Sequence, residues 1–491
     1  MLFNSYAFIF AFMPVVVLGY YVLRNFGRPQ FALVWLILCS YFFYGWWNPR
    51  YLPLLAATTL FNFFVGRRAA NLWQHDKKSA RRLLAFGIAA NLTALFYFKY
   101  TGLAIQTFND IFQLTLSVPA IVLPLGISFF TFQKIAYLAD VGEDGNAEPR
   151  LLHYALFVSF FPQLIAGPIV HPKDVLPQFA REQTRKIDPQ MMAMGLTIFV
   201  IGLFKKTILA DNIAPFATKA FDITAHAVAV SATDAWGAAL AYSMQIYFDF
   251  SGYSDMAIGV ALLFAIRLPI NFNSPYQAAN IIDFWRCWHM TLSRFLRDYL
   301  YIPLGGNRKG PARKYFNLLL TMLLGGLWHG ANWNFAIWGL MHGAYLLINH
   351  LWRAVRPATR PSSLAGLWAG RLLTFLAVVV AWVFFRAPDI RTALRMLKSM
   401  AFGHTDAETT IFTSSGHGAL LLVILLFIVW AVPNTQTVMG YRPWGTSQIE
   451  LLEAPLGGWV PDIPWAIATV VLLVLGILSI SGISEFIYFQ F

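Results

Sequence analysis

Apolar runs of roughly membrane-spanning length recur along the chain, near residues 6–23, 31–47, 51–65, 83–98, 121–139, 191–213, 235–266, 372–385, 417–432 and 463–480. A hydrocarbon core of ~30 Å takes about 20 helical residues, and within lipid only helices and closed barrels satisfy their own backbone. The pattern predicts an all-α polytopic membrane protein of about 10–13 transmembrane helices. Basic loops set its orientation. With RNFGRPQ at 24–30 and GRRAANLWQHDKKSARR at 66–82 placed inside, the N-terminus lies outside. No basic stretch precedes the first apolar run, so that run reads as a retained helix and not as a cleaved signal peptide.

Several runs are interrupted. Residues 101–120 are too polar for a clear span and read as an interfacial helix, while 151–170, LLHYALFVSFFPQLIAGPIV, is broken by Pro162, Gly167 and Pro168 and reads as re-entrant. The run at 191–213 contains Lys205 and Lys206, which are costly there unless they face a cavity or snorkel, and the polar piece 214–234 follows outside. The run at 235–266 contains YFDFSGYSDMAIG, which puts Asp249 and Asp255 in a glycine-interrupted apolar segment. Either these carboxylates orient a histidine or line a substrate path, or they pair with a membrane lysine or arginine. Arg386–Lys398 is a basic amphipathic stretch that helix parity puts outside, against the charge rule.

Two stretches carry candidate chemistry. IIDFWRCWHMTLSRFLRDYLYIPLGG (281–306) has apolar residues Trp285, Trp288, Leu292, Phe295, Leu296 and Tyr299 along one arc and arginines opposite, so it reads as one interfacial helix. On that wheel His289 falls about 40° from Trp285, at the edge of the apolar face. NRKGPARK (307–314) follows, then LLLTMLLGGLWHGANWNFAIWGLMH (318–342). There Gly325, Gly326 and Gly330 predict irregular backbone between two helices, which membranes tolerate only inside protein or beside water. Ten residues from Asn317 to Gly326 descend roughly 15 Å, which puts His329 near mid-depth. A neutral imidazole there is suited to take a proton from a hydroxyl; a histidine that only shapes a helix break is the plainer alternative. His342 reads as a packed histidine.

Composition narrows the class. The 491 residues are 58% hydrophobic and 12% charged, which no soluble fold hides. The net charge of +13 sits mostly in short loops, which fits positive-inside topology and not nucleic-acid binding. Cys39 and Cys287 make neither a disulfide framework nor a metal-site pattern, so no metal or bound cofactor is expected. One membrane domain, 1–491, is the economical count.

The segments DFWRCWHMTLSRFLRDYLYIPLGGNR (283–308) and LLGGLWHGANWNFAIWGLMHG (323–343) resemble the two signature regions of the membrane-bound O-acyltransferase (MBOAT) family. The resemblance is to its bacterial AlgI-like branch, which holds alginate, peptidoglycan and cellulose O-acetyltransferases and the teichoic-acid D-alanyl transfer protein. GLFKKTILADN (202–212), YFDFSGYSDMAIG (247–259), FNSPY (272–276) and FIYFQF (486–491) extend it over nearly the whole chain. Cys287 stands where the alginate enzymes often carry a second arginine, a departure that leaves the acceptor open.

The resemblance implies a helical bundle with re-entrant segments around a central tunnel. It implies acetyl transfer from a cytoplasmic thioester, acetyl-coenzyme A or an acyl carrier protein, towards hydroxyls of an exported polysaccharide. The acetyl group would travel directly or through a periplasmic acetyltransferase partner, in the inner membrane of a bacterium. The family's invariant histidine corresponds to His329 and the WRxWH histidine to His289. Trp328, Trp333 and Asn332 are candidate oxyanion donors. Arg294, Arg297, Arg308, Lys309, Arg313 and Lys314 are candidate donor-binding residues, although topology alone would explain most of these charges. A transporter also has broken helices and buried charge, but no duplicated half is visible; an export-complex scaffold would need neither histidine.

Overall fold

The computed structural model describes residues 1–25, 29–180, 188–355, 363–403, 411–412, 416–442, 458–480 and 486–487. Most of the expected inside loop at 353–361, the centre of RNFGRPQ and most of FIYFQF lie outside them. The described residues are helices joined by short loops, with no strand among them. Among the described residues, four helices are long and apolar enough to cross a membrane: Ala7–Asn25, Lys77–Phe112, Pro189–Ala225 and Leu364–Arg386. Gln30–Gly45, His417–Ala431 and Ile463–Leu478 are shorter and apolar. Side chains such as Phe10, Leu18, Phe64, Phe86, Phe427 and Val470 project from the surface, as lipid-facing residues do.

Other long helices, Leu52–Trp73, Ile127–Asp144, Ala232–Leu262, Gly310–His329 and Trp333–Val355, are less apolar because they bury polar residues in protein. Three stretches that the sequence marks as interrupted or polar are continuous helix. Ala232–Leu262 runs unbroken through YFDFSGYSDMAIG; a single glycine weakens a helix by only ~1 kcal/mol, which packing offsets. Thr101–Phe112 continues the helix that begins at Lys77 instead of forming a separate interfacial piece. The polar stretch after 213 is helical to Ala225. The segment after Leu151 does break as expected: Leu151–Ser159 and Phe161–Leu164 are separate helices.

The residues group into two compact units, each assembled from separated stretches of chain: Met1–Leu203, Gly252–Ile270 and Thr435–Gln490 in the first, Phe204–Ser251 and Asn271–Asn434 in the second. In the first unit, Phe3 packs with Phe8, Phe43 and Tyr253. Asn62 and Asn91 exchange amide hydrogen bonds at 3.1 and 2.7 Å, and the Lys134 ammonium donates to the Thr58 hydroxyl at 2.6 Å.

The second unit is centred on the antiparallel hairpin of Gly310–His329 and Trp333–Val355. Its glycines act differently from the sequence expectation. Gly325 and Gly326 lie inside the first helix, and the turn occupies only Gly330–Asn332. A Cβ on Gly326 would lie 2.2 Å from the Phe335 carbonyl oxygen and 3.0 Å from the Cα of Gly339, so a missing side chain lets the two backbones touch, as small residues do between membrane helices. We expect Gly326→Val to force the hairpin apart at a cost of about 1–3 kcal/mol, read as a lower unfolding temperature in detergent; an unchanged melt would show that the backbones yield freely.

Candidate active site

His329 is the last residue of its helix, which starts at Gly310 and not near Asn317. Nineteen steps of ~1.5 Å put it roughly 28 Å from that start, so the mid-depth estimate loses its anchor. His329 is buried in an aromatic box: its ring centroid lies 5.0 Å from Trp328, 5.1 Å from Trp338 and 5.2 Å from Phe385. The walls are tied together. The Asn334 amide donates to the Ala387 carbonyl at 2.7 Å and the Asn332 amide to the Pro388 carbonyl at 2.9 Å, which holds Phe385 against the hairpin turn.

His289 lies 6.3 Å from His329, ring to ring, and is fully buried. The single amphipathic helix expected over 281–306 is absent. Ile281–Cys287 and Met290–Leu296 are separate, and His289 caps the second in a left-handed conformation, φ 43° and ψ 53°. A helical wheel through this break has no meaning, so His289 is interior and not at the edge of an interfacial face. Such backbone costs about 1–3 kcal/mol in a non-glycine residue and persists where the surroundings impose it. Asn271 imposes it here: its carbonyl accepts from the Met290 N–H at 3.0 Å, and the neighbouring Asn273 N–H donates to the Cys287 carbonyl at 2.9 Å.

The Asn271 side chain also settles the imidazole. Its Oδ1 accepts from the Thr291 hydroxyl at 2.9 Å and lies 3.0 Å from His289 Nδ1. An amide oxygen only accepts, so Nδ1 carries the hydrogen and Nε2 the lone pair. Asn271 and Thr291 escaped the sequence reading. FNSPY begins one residue later, but nothing in a sequence pairs position 271 with position 289.

The remaining candidates divide. Trp328 joins the two histidines, 5.0 Å from one ring and 6.1 Å from the other. Trp333 is 48% exposed, so it does not share the buried box. Asn332 caps the second hairpin helix, its Oδ1 accepting from the Asn334 N–H at 2.9 Å. Asp249 pairs with a membrane lysine: Lys206 Nζ lies 2.6 Å from it and 2.9 Å from Asp211. Lys206 reaches both from a one-turn π-bulge, Lys205–Ala210. Asp255 belongs to the first unit and accepts from the Thr435 hydroxyl and the Gln436 amide, both at 2.7 Å.

Arg308, Lys309 and Arg313 are exposed at the start of the hairpin, with Lys314 half-buried beside them. Arg294 and Arg297 flank Asp298 at 3.8 and 2.7 Å, so part of their charge is neutralised locally. No group of three or more potential metal ligands occurs among the described residues.

Residues 82–386 match the description of the membrane-bound O-acyltransferase family. The chain is 45% identical to a peptidoglycan O-acetyltransferase of Helicobacter pylori, over 87% of this chain and 86% of that one. It is 39% identical to a probable alginate O-acetylase of Azotobacter vinelandii over the full length of both. With its counterpart in Pseudomonas aeruginosa it shares 42% identity over 87% of this chain and 80% of the other.

Proposed function

From the premise that the chain belongs to the membrane-bound O-acyltransferase family, we propose that it moves an acetyl group from a cytoplasmic thioester to hydroxyls of an exported polysaccharide, with His329 as general base. The observation that carries the residue assignment is the buried pair His329 and His289 at two helix ends, 6.3 Å apart and both in ring contact with Trp328. Dry surroundings strengthen each electrostatic contact. In this reading His329 takes the hydroxyl proton as the hydroxyl oxygen bonds to the thioester carbonyl carbon. The carbon–sulfur bond then breaks, and the departing thiolate recovers the proton. His289, held by Asn271, presents Nε2 and positions one of the two reactants.

The donor we propose is acetyl-coenzyme A or an acetylated carrier protein. The basic end at Arg308, Lys309, Arg313 and Lys314 matches its phosphates, and charge bias puts that end inside a bacterial inner membrane, with the N-terminus periplasmic. The acceptor is an alginate-like polymer, reached directly or through a periplasmic acetyltransferase. The 45% identity to a peptidoglycan O-acetyltransferase favours peptidoglycan as the second reading. Purified protein given labelled acetyl-coenzyme A and each polymer in turn tests both; failure to transfer or hydrolyse the thioester under any condition would overturn the proposal.

Two variants probe the parts. Reversing Arg308, Lys309 and Arg313 to glutamate should raise the donor KM far more than the acceptor KM, because a remote handle supplies uniform binding. An unchanged donor KM would reduce these charges to topology. Asn271→Leu should lower kcat by about 10–100-fold through misplacement of His289, while Asn271→Asp, which keeps an acceptor oxygen, should retain much more; equal losses would sink the positioning role.

A further inference from the structure

The basic stretch that follows Arg386 lies at the opposite end of the second unit from its other basic loops. The hairpin begins beside Arg308, Lys309 and Arg313, and His329 ends its first helix roughly 28 Å away. At that far end the Asn332 and Asn334 amides hold the Pro388 and Ala387 carbonyls, so the spanning helix Leu364–Arg386 finishes there too. Its 23 residues cover roughly 34 Å, about one hydrocarbon core. The next helix, Ile390–Phe402, therefore starts at the level of the lipid headgroups.

That helix stays at this level. Asp389 caps it, accepting from the Thr392 N–H at 2.8 Å and the Thr392 hydroxyl at 3.2 Å. Arg395 donates to the Thr224 carbonyl at 3.4 Å, one residue from the end of the spanning helix Pro189–Ala225. The Met400 carbonyl accepts from the Trp236 indole at 3.0 Å, near the start of Ala232–Leu262. A helix bonded to the ends of its neighbours runs across them, along the membrane surface.

Its residues sort into three faces. Thr392, Ala393, Met396, Ser399 and Met400 are buried. Leu394, 54% exposed, and Ala401 form an apolar flank. Between the two, Arg391, Arg395 and Lys398 share an arc of about 60° and are all exposed, and Phe402 closes the helix beside them at 83% exposure. None of the three cations forms an ion pair among the described residues, unlike Arg294 and Arg297 beside Asp298. Cations bordered by bare apolar side chains suit a helix whose flank enters the acyl boundary while its charges stay among phosphates. A polymer in water would meet the charges but leave Leu394 and Phe402 uncovered.

We propose that Ile390–Phe402 is a docking surface for anionic phospholipid headgroups, with Arg391, Arg395 and Lys398 on the phosphates and Leu394, Ala401 and Phe402 against the acyl chains. The positive charge that helix parity puts on the side the charge rule disfavours then has a ligand. Residues 387 and 388, which lead into this helix, are bonded to the hairpin beside His329, so headgroup binding also steadies Phe385 against that histidine. The inference requires no acetyl transfer, and its failure would leave the transfer reading untouched.

The side chains of Arg391 and Lys398 make no hydrogen bond or ion pair among the described residues, so Arg391→Gln with Lys398→Gln removes charge and spares the fold. Short-chain phosphatidylglycerol, phosphatidylcholine and an oligouronate are each added to the full-length protein in detergent, with binding followed by native mass spectrometry and stability by thermal melting. Wild type should prefer phosphatidylglycerol and melt higher in its presence. The double variant should bind it about ten- to thirtyfold more weakly, since each cation near an anionic surface contributes about fivefold, and should lose the rise in melting temperature while phosphatidylcholine binding stays the same. Equal phosphatidylglycerol binding by the two proteins would overturn the proposal. So would an oligouronate whose binding alone the variant loses, which would make the face a polymer dock. Should the double variant not fold, Lys398→Gln, with about a fivefold loss, decides alone.

Discussion

Replacing His329 by alanine is expected to abolish measurable acetyl transfer, a loss of about 10²–10⁴-fold or more, the range that general-base catalysis contributes. No other group among the described residues combines its features. It ends a helix beside the hairpin turn, lies within ring contact of Trp328, Trp338 and Phe385, and faces a second buried histidine whose tautomer Asn271 dictates. The variant should still insert and fold, because Trp338 and Phe385 contact each other at 5.1 Å without it. Steady-state transfer by purified protein, beside a thermal melt, checks both halves. A folded variant that keeps most of its turnover would remove His329 from the chemistry and leave it as a residue that shapes a helix end.

The largest effect on stability is expected at Asp249. Lys206 and Asp249 are each almost fully buried and 2.6 Å apart, so neither charge keeps water to solvate it. Removing one partner of a buried pair costs about 3–5 kcal/mol, since the other charge stays behind. Asp211, 2.9 Å from Lys206 and partly exposed, offsets a fraction, so Asp249→Ala should fall near the lower end. The double variant Lys206→Met, Asp249→Leu should recover much of the loss, because apolar residues often replace a buried pair at little cost. Denaturant or thermal unfolding in detergent gives both numbers. A single variant as stable as wild type would mean that the pair is solvated; a double variant no better than the single would mean that the π-bulge at Lys205–Ala210 depends on the charges.

Local composition and periodicity carry the fold class and the family. Apolar runs dictated an all-α membrane protein, because lipid leaves the backbone no other open-ended form. The run of motifs at 283–308 and 323–343 marked the family and picked out both histidines. The break after Leu151 was legible because proline removes a donor and fixes φ. Tertiary structure alone decided the rest. Gly325 and Gly326 look like breakers, yet they serve close helix contact, and only the facing Gly339 reveals it. His289 looked like the rim of one long helix, yet the helix stops at Cys287 and Asn271, 18 residues away, holds the imidazole inside. Asp249 left two readings open until the fold brought Lys206 to it across 43 positions. Each of these outcomes depends on a partner distant in sequence, and a periodic pattern holds no information about which distant residue will be near.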